Sequence, residues 1–186
     1  MALIEDLVSI YRTHIAAPWQ KNLAGAQKTI CVVYPKAEER RLRARLELFE
    51  MATTAAGHGW LPFDFTPVFA QWMAATEYRE EYFRNPSDLS IKLETDFLQY
   101  AAEQLRQALK DTKADENSVV AACGLASLFG FSRVSLIQKE VENEIRGRMV
   151  LFFPGEFENN NYRLLDARDG WNYLAVPITL HSGGLL

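Results

Sequence analysis

"RMVLFFPGEFENNNYRLLDARDGWNY", residues Arg148–Tyr173, joins an apolar strand-like run to Pro-Gly-Glu, an asparagine triplet, and a second strand-like run that meets Asp169-Gly170. By turn chemistry, Pro154-Gly155 reads as an ordinary turn, the asparagines tolerate left-handed backbone, and Asp-Gly between two strand-like runs signals a two-residue hairpin. "NYRLLDAR" and "WNYLAVPITL" flank that dipeptide, so the sheet is expected to finish in an antiparallel hairpin turning at Asp169-Gly170. The same stretch is dense in Arg163, Asp166, Arg168, Asp169, Trp171 and Tyr173, with Glu156 just before. Arginine, tryptophan and tyrosine dominate binding hot spots, and nothing here is a nucleophile beside an activating base. These residues are therefore expected to form a partner-binding surface.

Upstream, strands and helices alternate. "KTICVVYP" predicts a buried strand over Thr29–Tyr34, because β-branched residues run consecutively and a proline ends them. "SVVAACGL" and "RMVLFF" read likewise, and "WLPFDF" is a shorter strand after the Gly57 helix cap. Between them lie helical patterns. Leu3, Leu7, Ile10 and Tyr11 form the first, closed by Pro18. Leu42, Leu46 and Phe49 form one stripe, behind acidic Glu38 and Glu39, with Arg40, Arg41, Arg43 and Arg45 on a solvated face. Pro67 opens another helix, a short one includes Tyr78, Tyr82 and Phe83, and "NPSD" breaks the chain. Asp88–Lys110 keeps a helical period through Leu93, Phe97, Ala101, Leu105 and Leu109, and "RVSLIQKEVENEI" is the last helix. Strand–helix alternation favours a three-layer α/β fold: a mostly parallel sheet with helices on both faces, as a single domain over residues 1–186.

Composition narrows the function. With 48% hydrophobic and 24% charged residues the chain is an ordinary globular one. A net charge of -4 excludes a dedicated duplex-DNA binder, so no direct tight nucleic-acid binding is expected. Cys31 and Cys123 lie in apolar runs and read as buried free thiols of a reducing compartment. The N-terminus has no basic region and long apolar core of a signal peptide, and no apolar run approaches ~20 residues, which places the chain in the cytoplasm and away from the membrane.

Catalytic signatures are missing. The first strand is followed by "YPKAEER" where a nucleotide-binding loop would be glycine-rich, and GxxxxGK[ST], GxSxG and HExxH are all absent. No cofactor is expected. "CGLASLFGFSR" nevertheless ends a strand and opens a helix, so Gly130, Ser132 and Arg133 form a candidate anion site against a bland strand-to-helix turn. Glu38, Glu39 and Asp64 could meet at the strand C-terminal rim and hold magnesium, against a reading as capping and solvated acids.

The segment Val119–Ile178 resembles BrxB-like proteins of the BREX bacteriophage-exclusion systems. The match lies in Gly124, Phe129 and Arg133 after a strand, in "FFPGE", and in a late segment rich in tyrosine and arginine; "ICVVYPKAEE" resembles the family's early strand and helix start. The likeness runs over roughly Thr29–Ile178. It implies a P-loop-like α/β fold without a Walker motif, and a cytoplasmic defence component working beside a PglZ-type, alkaline-phosphatase-like protein and other BREX subunits. Two functions follow: a non-catalytic assembly or adaptor protein, or a small nucleotide- or metal-dependent enzyme using Glu38, Asp64, Gly124 and Arg133 at the rim.

Overall fold

The computed structural model describes residues 3–167 and 170–180. Five strands run parallel in the order β2-β3-β4-β1-β7: β1 (Thr29–Tyr34), β2 (Gly59–Asp64), β3 (Ser118–Cys123), β4 (Arg148–Glu158) and β7 (Val176–Ile178). Two short strands extend the sheet beyond the end of β4: β5 (Asn161–Leu164) pairs antiparallel with β4, and β6 (Trp171–Asn172) antiparallel with β5. The expected mostly parallel α/β sheet, covered on both faces and carrying an antiparallel hairpin, is what forms. Among the described residues no helix is long and apolar enough to cross a membrane.

The strands read as continuous apolar runs because each feeds two cores at once. Ile30, Val32 and Tyr34 of β1 point to one face with Val150 and Phe152 of β4, against α1 (Leu3–Ala16) and α3 (Leu46–Ala55) through Leu7, Tyr11 and Phe49. Cys31 and Val33 point to the other face with Leu151 and Phe153. There they meet α4 (Val68–Ala75), α7 (Leu98–Lys110) and α8 (Val134–Val141) through Trp72, Ala101, Leu105 and Ile137. Both cysteines are free and buried, as expected.

Three expectations change. The helix after β1 is two: α2 (Glu39–Arg43) ends before α3, where Arg45 takes φ −125. The Asp88–Lys110 helix is not uniform, since α6 (Leu89–Lys92) passes through a π-helical stretch, Leu93–Phe97, before α7. That wider turn realigns the apolar stripe so that Phe97 and Ala101 both reach the core.

The third change concerns the strand-and-turn stretch at the end. Pro154-Gly155 is no turn, for β4 runs straight through it. Pro154 sits where β4 leaves β1, opposite Tyr34, and takes up β5, opposite Leu164 one residue later, so its missing N–H falls at a change of partner. Gly155 is required there, because a Cβ would collide with the Arg163 carbonyl. The chain reverses instead at Asn159-Asn160, whose φ values of 51 and 62 supply the left-handed pair of a two-residue hairpin between Glu158 and Asn161. β5 and β6 do pair antiparallel, but Tyr162 faces Trp171, a register that a two-residue turn at Asp169-Gly170 cannot give. "WNYLAVPITL" then divides into β6 and the parallel edge strand β7.

Candidate functional site

The C-terminal ends of β1, β2 and β3 form the rim where ligands of open α/β sheets usually bind. Its polar centre is Asp64, the last residue of β2. Asp64 Oδ1 accepts the Thr66 amide at 2.9 Å, closing a local turn, and Oδ2 accepts from Arg43 Nη2 at 2.7 Å. Arg43 also donates to the Thr66 hydroxyl at 3.0 Å and lies 3.8 Å from Glu39, whose other oxygen accepts from the buried Tyr34 hydroxyl at 2.6 Å. Gly124, at φ 76, lets the β3 turn lie against this cluster; a Cβ there would strike Asp64 Oδ1 and come within 2.6 Å of Thr66 Oγ1.

Electrostatics follow the geometry. Partial burial alone would raise the Asp64 carboxyl, but the Thr66 hydroxyl and amide and the Arg43 guanidinium outweigh it and hold the group below the usual carboxylate range. Burial, then the neighbouring Asp64 charge, pushes the Cys123 thiol up to about 11, so it is no thiolate nucleophile at neutral pH. Arg43 was expected on a solvated face and is turned inward instead. Arg45 pairs with Glu5 and Arg41 with Glu38 at 3.3 Å, leaving Arg40 nearest to the expected role. The magnesium reading therefore loses its acids to arginines, and among the described residues no group of three His, Cys, Asp or Glu side chains is placed to hold a metal ion.

The residues singled out as a partner surface separate into two environments. β-alternation sends Glu156, Arg163 and Asn161 to the outer face of the β4–β5–β6 ribbon, and Phe157, Tyr162, Leu164 and Trp171 inward. Glu156 and Arg163 are cross-strand partners, 3.7 Å apart and exposed. Asp166 is exposed and pairs with Lys36, and these two, with Glu156, line a cleft of about 470 Å³ past the end of β1. Trp171 is not an exposed hot spot. It is half-buried, edge-on to Phe153 with ring centroids 5.4 Å apart, and its indole N–H is buried without an acceptor among the described residues. Tyr173 is also half-buried, donating to Glu142 at 3.1 Å; burial and that carboxylate raise its phenol. Arg168 and Asp169 lie outside the described residues.

Gly130, Ser132 and Arg133 join Trp171 in a second, larger cleft of about 690 Å³. One wall is Leu93 and Glu94 of the π-helical stretch and Leu98 at the start of α7; the other is Phe129 to Leu136, the loop and first turn of α8. Phe131 is held by stacking on Phe69 at 3.9 Å, and Phe69 in turn meets Phe97 edge-on at 5.4 Å. The aromatic wall was not legible in sequence: "LFGFSR" shows two phenylalanines, but the support of Phe131 comes from residues some sixty and thirty-five positions upstream, Phe69 and Phe97. Comparison of the chain with protein-family models, with curated proteins and with solved structures returns no significant match.

Proposed function

We propose that the chain is a non-catalytic assembly or adaptor protein of a BREX-like bacteriophage-defence complex, holding a PglZ-type, alkaline-phosphatase-like protein among other subunits. The resemblance over Thr29–Ile178 supplies the system. One observation supports binding: the excursion from Tyr78 to Ile91, containing α5 (Arg79–Arg84) and leading into α6, buries none of its residues yet exposes Tyr78 at 61%, Phe83 at 61% and Ile91 at 73%. Large apolar side chains on a segment that contributes so little to its own core are better accounted for by a partner than by folding. The ribbon's outer residues, Glu156, Arg163 and Asp166, remain available as a polar rim.

The alternative of a small nucleotide- or metal-dependent enzyme is weakened by the short "YPKAEER" turn after β1 and by the engagement of Asp64 with Arg43. The test is calorimetric titration of the chain with a PglZ-type protein of a BREX system. Tyr78→Ala, Phe83→Ala and Ile91→Ser together should weaken binding at least 30-fold, about 2 kcal/mol, while melting stays within ~1 °C of the parent. Full-strength binding by the triple variant would remove this surface, and no binding by the parent chain would remove the adaptor reading.

A further inference from the structure

We infer that the cleft between the start of α7 and the loop before α8 is a binding site for a small amphipathic carboxylate, an acyl or aryl chain carrying one anionic head. Its volume, about 690 Å³, falls in the range of small-molecule sites, and its lining has their composition: many apolar groups and a few convergent polar ones. Leu93, Leu98, Phe129, Phe131, Leu136 and Trp171 supply the apolar surface. Phe129, Phe131 and Leu136 are exposed in the cleft, so an occupant would remove their apolar area from water at roughly 25 cal/mol per Å².

Charge sets the kind of head group. Arg133 makes no ion pair or side-chain hydrogen bond among the described residues, unlike Arg41, Arg43, Arg45, Arg79, Arg84, Arg106 and Arg163. It is also the N-cap of α8, whose first turn has no side-chain cap, so the amides that open this eight-residue helix lack a side-chain acceptor on the wall of the cleft. Ser132 and Ser135 add hydroxyls to the same wall. A guanidinium, uncapped amides and two hydroxyls beside an apolar trough converge on a carboxylate with a hydrophobic tail. Glu94 on the opposite wall is likewise unpaired among the described residues and opposes an anion, which gives the proposal a sign that can be checked. The cleft shares no residue with Tyr78, Phe83 or Ile91, so this site and the partner surface stand or fall separately.

The experiment is calorimetric titration of the full chain with decanoate, decanol and decylammonium, each below its aggregation threshold. Decanoate should bind at one site, at least tenfold more tightly than the other two. Arg133→Gln should reduce decanoate to the affinity of decanol and leave decanol unchanged; Glu94→Gln should tighten decanoate severalfold. Leu136→Asp, at an exposed position that spares the core, should weaken both, with the melting curve confirming an intact fold. Equal binding of decanoate and decanol, a preference for decylammonium lost in Glu94→Gln, or decanoate binding indifferent to Arg133→Gln and Leu136→Asp would each overturn the assignment.

Discussion

Arg43 Nη2 lies 2.7 Å from Asp64 Oδ2, tying the helix that follows β1 to the end of β2 across the C-terminal edge of the sheet. The pair lies at the C-terminal rim of the strands, where ligands of open α/β sheets usually bind. It converts a potential site into a brace, and it makes the rim sensitive to acid.

Asp64 is held below the usual carboxylate range in the folded chain, so it contributes stability above its unfolded pKa, near 3.9, and loses that contribution as pH falls through the lower folded value. Both partners are more than a third exposed, and solvent screening keeps the contribution to about 0.5–1 kcal/mol. Asp64→Asn should lower stability by that amount at pH 7 and show a shallower decline between pH 4 and pH 2 in urea unfolding. Parallel pH profiles for parent and variant would contradict this account.

Gln138 is 1% exposed on the inward face of α8, and neither its amide nitrogen nor its oxygen has a hydrogen-bond partner among the described residues. A buried amide without partners costs about 1–3 kcal/mol. Gln138→Met keeps the volume and removes both polar atoms, so the urea midpoint should rise by an amount equivalent to about 1–2 kcal/mol. A fall in the midpoint would mean that the amide is satisfied by bound water.

The reversal at Asn159-Asn160 depends on two residues at positive φ. Glycine at the second position is the preferred choice in such hairpins, and Asn160→Gly should stabilise by a few tenths of a kcal/mol or leave stability unchanged. Asn160→Val, β-branched in left-handed backbone, should cost about 1–2 kcal/mol. Thermal melts of the two variants check the turn, and a tolerated valine would place the reversal elsewhere.

Trp171 and Arg163 were grouped by sequence but sit on opposite faces of the ribbon. Trp171→Ala removes a ring packed on Phe153 and should destabilise by about 2–3 kcal/mol. Arg163→Ala breaks one exposed pair and should stay within about 0.5 kcal/mol. Chemical denaturation separates them, and equal losses would refute the assignment of faces.

The sequence by itself determined the alternation of strands and helices, down to the limits of β1 at Thr29–Tyr34 and the start of β3 at Ser118. It could do so because a strand buried on both faces must be apolar at every position, and because helix periodicity and proline are local signals. Gly57 and Pro67 were legible for the same reason: each acts within its own turn. Tertiary structure decided what those elements present to one another. Pro154-Gly155 has the local chemistry of a turn, yet it lies within β4 because β1 and β5 pair with the strand on either side of it. Arg43 resembles its neighbours in "RRLRAR" until the end of β2 delivers Asp64 to it. Trp171 came to pack against the core, and Arg133 to share a cleft with it, through packing between segments remote in the chain. Side-chain periodicity reports which face of an element is buried; only the packed fold fixes which distant residue lies opposite.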